Sequence, residues 1–113
     1  EAKSAGMGVI VKEALANGRL TERNQSPTFQ AKKQRLAQTA AEYEVSLDAL
    51  ALGLVQQQSF VDVVLSGAAQ IDHLLSNLKS TDLPVILEAE ELLEAMSESP
   101  ATYWKTRKSL DWN

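Results

Sequence analysis

Two short apolar runs, separated by a helical pattern, organise the chain. Residues 8–12 read GVIVK and residues 61–65 read VDVVL, and β-branched runs of this length are typical of strands buried on both faces of a parallel sheet. Between them, apolar side chains recur every three or four residues. This spacing predicts a helix over 30–44 and a second helix that begins after Ser46, a favourable N-cap. Strand, helix pair and strand in this order predict an α/β fold.

The second half of the chain is predominantly helical in pattern. Gly67 predicts a tight exit from the second strand into a helix over about 70–78. Pro84 predicts another helix over 84–96, since proline is favoured in a first helical turn and acidic side chains there lie opposite isoleucine and leucine. The tail that follows is rich in aromatic residues, which indicates docking on another surface. Residues 13–29 lack a clean period and are typical of a long functional loop.

Individual side chains in these segments carry simple expectations. Lys32, Lys33 and Arg35 form a basic, solvent-facing side of the first helix, whereas Tyr43 belongs to the core because it continues the apolar spacing. Lys12, Arg19 and Arg23 are expected to be solvated charges, of which one could meet a phosphate.

Composition excludes several classes of function. The 113 residues carry 15 acidic and 11 basic side chains, for a net charge of -4, so they provide no basic field for nucleic acid. There is no cysteine, which excludes thiolate metal sites and favours a reducing compartment. No apolar run approaches the roughly 20 residues that span a bilayer. The acidic residues of 88–94 are remote in sequence from the one histidine, so no metal site is expected.

Two parallel strands cannot cover their own edges or close a core. The sequence therefore predicts a part of a larger fold. The alternative is a small independent helical interaction domain that docks through exposed apolar faces, including Tyr103, Trp104 and Trp112. That alternative predicts a stable monomer in isolation.

Several motifs in this order resemble the C-terminal part of the aldo/keto reductase family. They are GVIVKEALANGRLT, SLDALAL, VDVVLSGA and a Leu-x-x-Asn-Leu run, and the ending YWKTRKSLDWN is similar to the tails of plant and cyanobacterial members. The resemblance implies a C-terminal fragment of a (β/α)8 barrel, with residues 8–12 as the seventh strand and 61–65 as the eighth. Residues 1–83 would form the last two β/α units, and residues 84–113 an appended C-terminal helix and aromatic tail.

The resemblance also implies a function and a site. The parent protein would transfer hydride from NADPH or NADH to a small carbonyl substrate, and this chain would bind the adenosine part of the cofactor. The turn after the second strand would hold its phosphate, with His73 near that phosphate, Asn77 on the adenine and the loop after the first strand over the pyrophosphate. The cofactor-binding residues so implied are Leu15, Ala16, Asn17, Gly67, Ala68, Ala69, His73 and Asn77.

The sequence departs from the family pattern at several of these positions. Lys12 stands where an aromatic ring often stacks on the nicotinamide, and Glu13 and Ala14 replace Ser-Pro. Ala69 replaces a serine and Ser76 a glutamate. The catalytic Asp, Tyr, Lys and His of the family come from earlier strands, so no catalytic residue is assigned here. A relative that has lost catalysis and serves as a binding or structural subunit is the alternative, and the missing N-terminal part is a possible partner. The resemblance places the protein in the cytoplasm or the plastid stroma.

Overall fold

The computed structural model describes residues 1–110. Two parallel strands, β1 (Ile10–Val11) and β2 (Val63–Val64), form a sheet in which Ile10 pairs with Val63 and Val11 with Val64. Hydrogen bonds from the amides of Val63 and Leu65 to the carbonyls of Val9 and Val11 continue the ladder on both sides of the paired residues. The predicted strand, helix pair and strand are therefore confirmed, with shorter strands.

Five α-helices account for just under half of the described residues. Two of them connect the strands and three follow β2. They are α1 (Gln30–Glu42), α2 (Leu47–Gln56), α3 (Ile71–Leu78), α4 (Ala89–Met96) and α5 (Pro100–Ser109). Within residues 1–110, none of these helices is long and apolar enough to cross a membrane.

Helix α2 is the centre of the core. Seven of its ten residues are buried, and it packs against α1, α3 and the 3₁₀ turn Lys79–Asp82. The fully buried leucines of α1 and α4 close the cluster from two other sides. A helix that is apolar on nearly all sides is stable only inside such a cluster, so α2 fixes the positions of the elements around it. Its N-cap Ser46 does not cap the helix, because its hydroxyl is hydrogen bonded to the Ser76 hydroxyl at 2.8 Å.

The strands are covered on one face only, so the expectation of burial on both faces is wrong for the described residues. Val11 and Val64 are half-buried, whereas the side chains of Ile10 and Val63 are 66% and 47% exposed. Alternate residues of a strand point to opposite faces, and nothing within residues 1–110 packs on the face that carries Ile10 and Val63.

The prediction of a helix over 84–96 is wrong at its beginning. Residues 83–86 have no regular secondary structure, and α4 begins only at Ala89. The cause is the side chain of Gln57, which donates from Nε2 to the Pro84 carbonyl at 2.8 Å and accepts from the Ile86 amide at 2.9 Å. This side chain pairs with the backbone as a neighbouring strand does, and Leu87, expected on the apolar side, is 90% exposed.

Two further expectations need correction. The aromatic tail contains a helix, α5, which Ser99 caps by accepting from the Thr102 amide; Trp112 lies outside the described residues. Lys33 is not solvent-facing: it is buried, and its ammonium donates to the carbonyls of Glu22 and Asn24. It joins α1 to the loop that precedes it.

Candidate functional site at the carboxyl ends of the strands

The loops that follow the two strands lie side by side. Because β1 and β2 are parallel neighbours, the β1–α1 loop (residues 12–29) and the β2–α3 turn (residues 65–70) leave the sheet at the same edge. Two adjoining cavities open between these segments. Both cavities are lined by Leu15, Thr21, Arg23, Ser66 and Gly67. In barrels built of such units this edge carries the active site.

Gly67 lies in the turn between β2 and α3. Its φ is +65°, in the left-handed region that favours glycine, and a Cβ built on it would meet no atom within 4 Å. The residue is thus required by the backbone conformation rather than by crowding. The open space above it lets another group approach the main chain closely.

Helix α3 begins just beyond this turn. Its N-cap, Gln70, is extended, and no side chain among the described residues caps it, so its first amides are free to bind an acceptor. Two features work against an anion there. The Ser66 hydroxyl already accepts from the Ala68 amide at 3.3 Å, and Asp72 places a carboxylate in the first turn.

His73 and Asn77 lie one turn apart on α3. Both line the second of the two cavities, together with Gly67 and Ala68. His73 is half-buried and Asn77 is buried. With its amide oriented to satisfy its neighbours, Asn77 donates to Asp48 Oδ2 at 2.6 Å and to the His73 carbonyl at 3.1 Å. This contact ties α3 to the first turn of α2 and orients one wall of the cavity.

Arg23 brings positive charge to the same cavity. It is exposed, and no hydrogen bond or ion pair engages its guanidinium within the described part of the chain. Glu22 contributes a carboxylate nearby, but that side chain pairs with the Lys33 ammonium at 3.4 Å. Arg23 is therefore the cation available to a negatively charged group.

The β1–α1 loop is held in an unusual backbone conformation. Glu13, Ala16 and Asn17 have φ values of 63°, 48° and 56°, although none is glycine. Such residues each cost of order 1–3 kcal/mol and persist where surrounding contacts enforce them. The loop supplies some of these contacts itself, through bonds from the amides of Ala16 and Gly18 to the carbonyls of Glu13 and Leu15.

Helix α5 supplies further contacts from the other side of the loop. The Tyr103 hydroxyl donates to Glu13 Oε2 at 2.7 Å, and Arg107 Nε donates to the same oxygen at 3.1 Å. The hydrogen bond from Tyr103 and the charge and hydrogen bond of Arg107 hold the pKa of Glu13 below its usual value of 4.5, against the opposing effect of burial. Burial and the Glu13 carboxylate raise the pKa of Tyr103 to about 12.

Two more loop cations meet α5 and Glu98, two residues before it. Arg19 forms a bidentate ion pair with Glu98, at 3.0 and 3.2 Å, and its guanidinium lies 5.1 Å from the centre of the Tyr103 ring. The Lys12 ammonium lies 5.9 Å from the Trp104 ring. The expectation that Lys12 and Arg19 are solvated charges is therefore wrong for Arg19, whose side chain is only 14% exposed. Lys12 is exposed but directed toward an aromatic face.

The structure brings together most of the residues implied by the sequence. Five of the eight line one cavity, namely Leu15, Gly67, Ala68, His73 and Asn77. Asn17 lines the adjoining cavity. Ala16 instead lines an apolar cleft between the loop and α5, and Ala69 is exposed and lines none of these spaces.

Thr21 and Asp48 line this cavity but were not expected there from the sequence. Thr21 lies in the loop that the sequence indicated as functional, whereas Asp48 was recognisable only as an acidic residue in the first turn of a helix. Arg23, expected as a solvated charge that could meet a phosphate, is exposed and lines the same cavity. Among residues 1–110, no group of three or more histidine or acidic side chains is arranged to hold a metal ion.

Comparison with known proteins agrees with this geometry. Residues 2–96 match the aldo/keto reductase family, which confirms the resemblance carried by the sequence motifs. No curated protein matches the chain. The family match includes both strands, both loops and helices α1 to α4, and it stops before α5. Since the match covers most of its length, the chain belongs to the aldo/keto reductase family.

Proposed function

We propose that residues 1–83 form the last two β/α units of a (β/α)8 barrel, with 84–113 appended, in an NAD(P)H-dependent reductase of small carbonyl compounds. β1 and β2 are then the seventh and eighth strands. The cofactor, when bound, supplies the hydride. The proton donor and the substrate pocket belong to strands that precede this segment.

In this proposal the chain holds the adenosine half of the cofactor. The turn over Gly67 and Ala68 and the first amides of α3 receive the phosphate, and Arg23 and His73 give it positive or hydrogen-bonding partners. Asn77 lies at the adenine end, and Leu15 with Asn17 covers the pyrophosphate. Ala69 lies away from the cavity and is assigned no contact with the cofactor.

One observation carries the proposal. Gly67 has a left-handed φ with open space above it, at the carboxyl end of a parallel strand and directly before a helix. A phosphate needs this combination of unhindered main chain and free helical amides. The cavity residues on α3 and the β1–α1 loop then lie within reach of one ligand.

The test is a titration of the full-length protein with NADPH and NADH, in which Gly67→Ala is compared with Gly6→Ala. Gly6 is a matched control, since its φ is +76° and a Cβ there also meets nothing within 4 Å, but it lies far along the chain from the cavity. Each change should cost about 1 kcal/mol of folding free energy, because alanine disfavours a left-handed backbone. Only Gly67→Ala places a methyl group where the phosphate approaches.

We therefore expect Gly67→Ala to raise the dinucleotide Kd by about fivefold to tenfold, equivalent to 1–1.4 kcal/mol, and Gly6→Ala to leave it unchanged. His73→Ala should also weaken binding, by about tenfold, since it removes a hydrogen-bonding partner of an anionic group. Equal affinities in wild type and Gly67→Ala would contradict the phosphate assignment. Failure of the wild type to bind either dinucleotide would favour a relative that has lost the cofactor.

A further inference from the structure

Helix α5 lies outside the part of the chain that matches the family. It nevertheless makes several specific contacts with the β1–α1 loop. Tyr103 and Arg107 share one oxygen of Glu13, and Glu98, just before α5, holds Arg19 by both guanidinium nitrogens. Each of these side chains is half-buried or buried. Helix α5 is therefore held on the loop by directional contacts as well as by packing.

The same loop has two working faces. One face meets α5 through Glu13 and Arg19, and the other lines the two adjoining cavities through Leu15, Asn17 and Arg23. Glu13 also borders one of these cavities, whereas Tyr103 borders neither. Only a few residues separate these positions along the chain. A change in the contacts between α5 and one face of the loop therefore shifts the residues on the other face.

The backbone conformation of the loop makes it dependent on these contacts. Glu13 itself is in the left-handed region, and so are Ala16 and Asn17. A loop with three such residues relaxes to other conformations unless contacts outside it hold it in place. The two donors to Glu13 act on the first strained residue, and so hold the start of the loop.

We propose that α5 is a clasp that positions the β1–α1 loop for the dinucleotide, with Glu13, Tyr103 and Arg107 as positioning residues. The inference rests on the proposed function for the identity of the ligand. By linkage, a dinucleotide that needs the ordered loop must also strengthen the docking of α5. Glu13, which departs from the family pattern, is then the loop residue of the clasp, and its presence does not indicate a loss of function.

The experiment compares wild type with Tyr103→Phe and Glu13→Gln in the full-length protein, with Lys105→Gln, exposed on α5, as control. Hydrogen exchange is followed at the amides of Ala16, Gly18 and Leu20, which are hydrogen bonded inside the loop. Kd values for NADPH and NADH are measured on the same samples. Phenylalanine keeps the ring that packs on Arg19 and removes only the donated hydrogen bond.

We expect Tyr103→Phe and Glu13→Gln each to speed loop exchange and to raise the dinucleotide Kd by about tenfold, within the range of coupling between two sites. Their double variant should lose less than the sum of the two single losses, since both substitutions affect the same Tyr103–Glu13 hydrogen bond. Bound dinucleotide should slow exchange in α5 of the wild type. Lys105→Gln should alter none of these quantities.

The outcomes separate the two proposals. Loop exchange that is unchanged in both variants overturns the clasp. Faster loop exchange with an unchanged Kd overturns the link between the clasp and the ligand. A wild type that binds neither NADPH nor NADH overturns the proposed function, and loop exchange in Tyr103→Phe then decides on the clasp alone.

Discussion

Single residues at the candidate site differ in how far the sequence could foretell them. Gly67 was readable, because a glycine between a strand and a helix indicates a positive φ, and its φ is +65°. The same conformation at Glu13 and Ala16 was not readable, whereas asparagine at position 17 is a residue type that adopts it more easily. Glu13 is held by a tertiary contact with Tyr103, 90 residues away along the chain, and no local pattern encodes that contact.

The pKa of Glu13 gives the clasp a defined pH dependence. Its pKa is lowered from 4.5, first by the Tyr103 hydrogen bond and then by Arg107, with a smaller contribution from the Lys12 charge and an opposing one from burial. A lowered folded-state pKa contributes stability that is present above pH 4.5 and is lost as pH falls below it. We expect the free energy of unfolding of wild type to exceed that of Glu13→Gln by about 1 kcal/mol near pH 7, after allowance for solvent screening.

That difference should shrink below about pH 4.5, where a protonated glutamate resembles glutamine. Urea unfolding of both proteins between pH 3 and pH 8 measures it. Tyr103 acts in the other direction: its raised pKa of about 12 means that its contribution is lost between pH 10 and 12. A wild-type advantage that stays constant down to pH 3 would show that the carboxylate charge does not hold α5.

At the scale of elements, periodicity identified the helices that build the core and failed where a specific polar contact decides the structure. The predicted starts of α1 and α2 are correct, because their apolar stripes face one another. Helix α5 was missed since it has no apolar stripe, although Ser99-Pro100 is a recognisable helix start. Residues 84–88 were misassigned because proline occurs in non-helical segments as well as at helix starts, and the contacts of Gln57 with Pro84 and Ile86 are not visible in a local pattern.

The role of Gln57 can be tested against its neighbour. Gln57→Leu removes the acceptor of the Ile86 amide and the donor to the Pro84 carbonyl. The Pro84 carbonyl is exposed and can bind water, whereas the Ile86 amide is only partly buried. Urea unfolding should therefore show a loss of about 1 kcal/mol. Gln56→Leu, at an exposed position, should change stability by less than about 0.5 kcal/mol. Equal effects of the two substitutions would mean that Gln57 does not determine the conformation of residues 84–86.

At the scale of the whole molecule, two apolar surfaces remain uncovered in residues 1–110. One is the face of the sheet with Ile10 and Val63. The other is a stripe along α3, formed by Ile71, Leu74, Leu75 and Leu78, each at least 46% exposed. The interior face of a barrel strand is filled by side chains from other strands, and its helices pack on neighbouring units. The open sheet edges had already indicated from the sequence that further strands must cover this part of the fold. The exposed stripe of α3, in contrast, is evident only from the placement of the helix.

If the chain is part of a barrel, one substitution should destabilise the full-length protein but not the 113-residue polypeptide. In the full-length protein the α3 stripe faces a neighbouring unit, so Leu75→Glu buries an unpaired charge and should cost about 3 kcal/mol or more. In the 113-residue polypeptide Leu75 is 57% exposed, and the same change should leave folding nearly unaffected and reduce self-association. Ala101→Glu, exposed on α5, is the control for added charge. Urea unfolding of the full-length variants and sedimentation of the polypeptides measure both effects. If full-length Leu75→Glu is as stable as wild type, the stripe is not buried by a barrel, and an independent interaction domain becomes the better description.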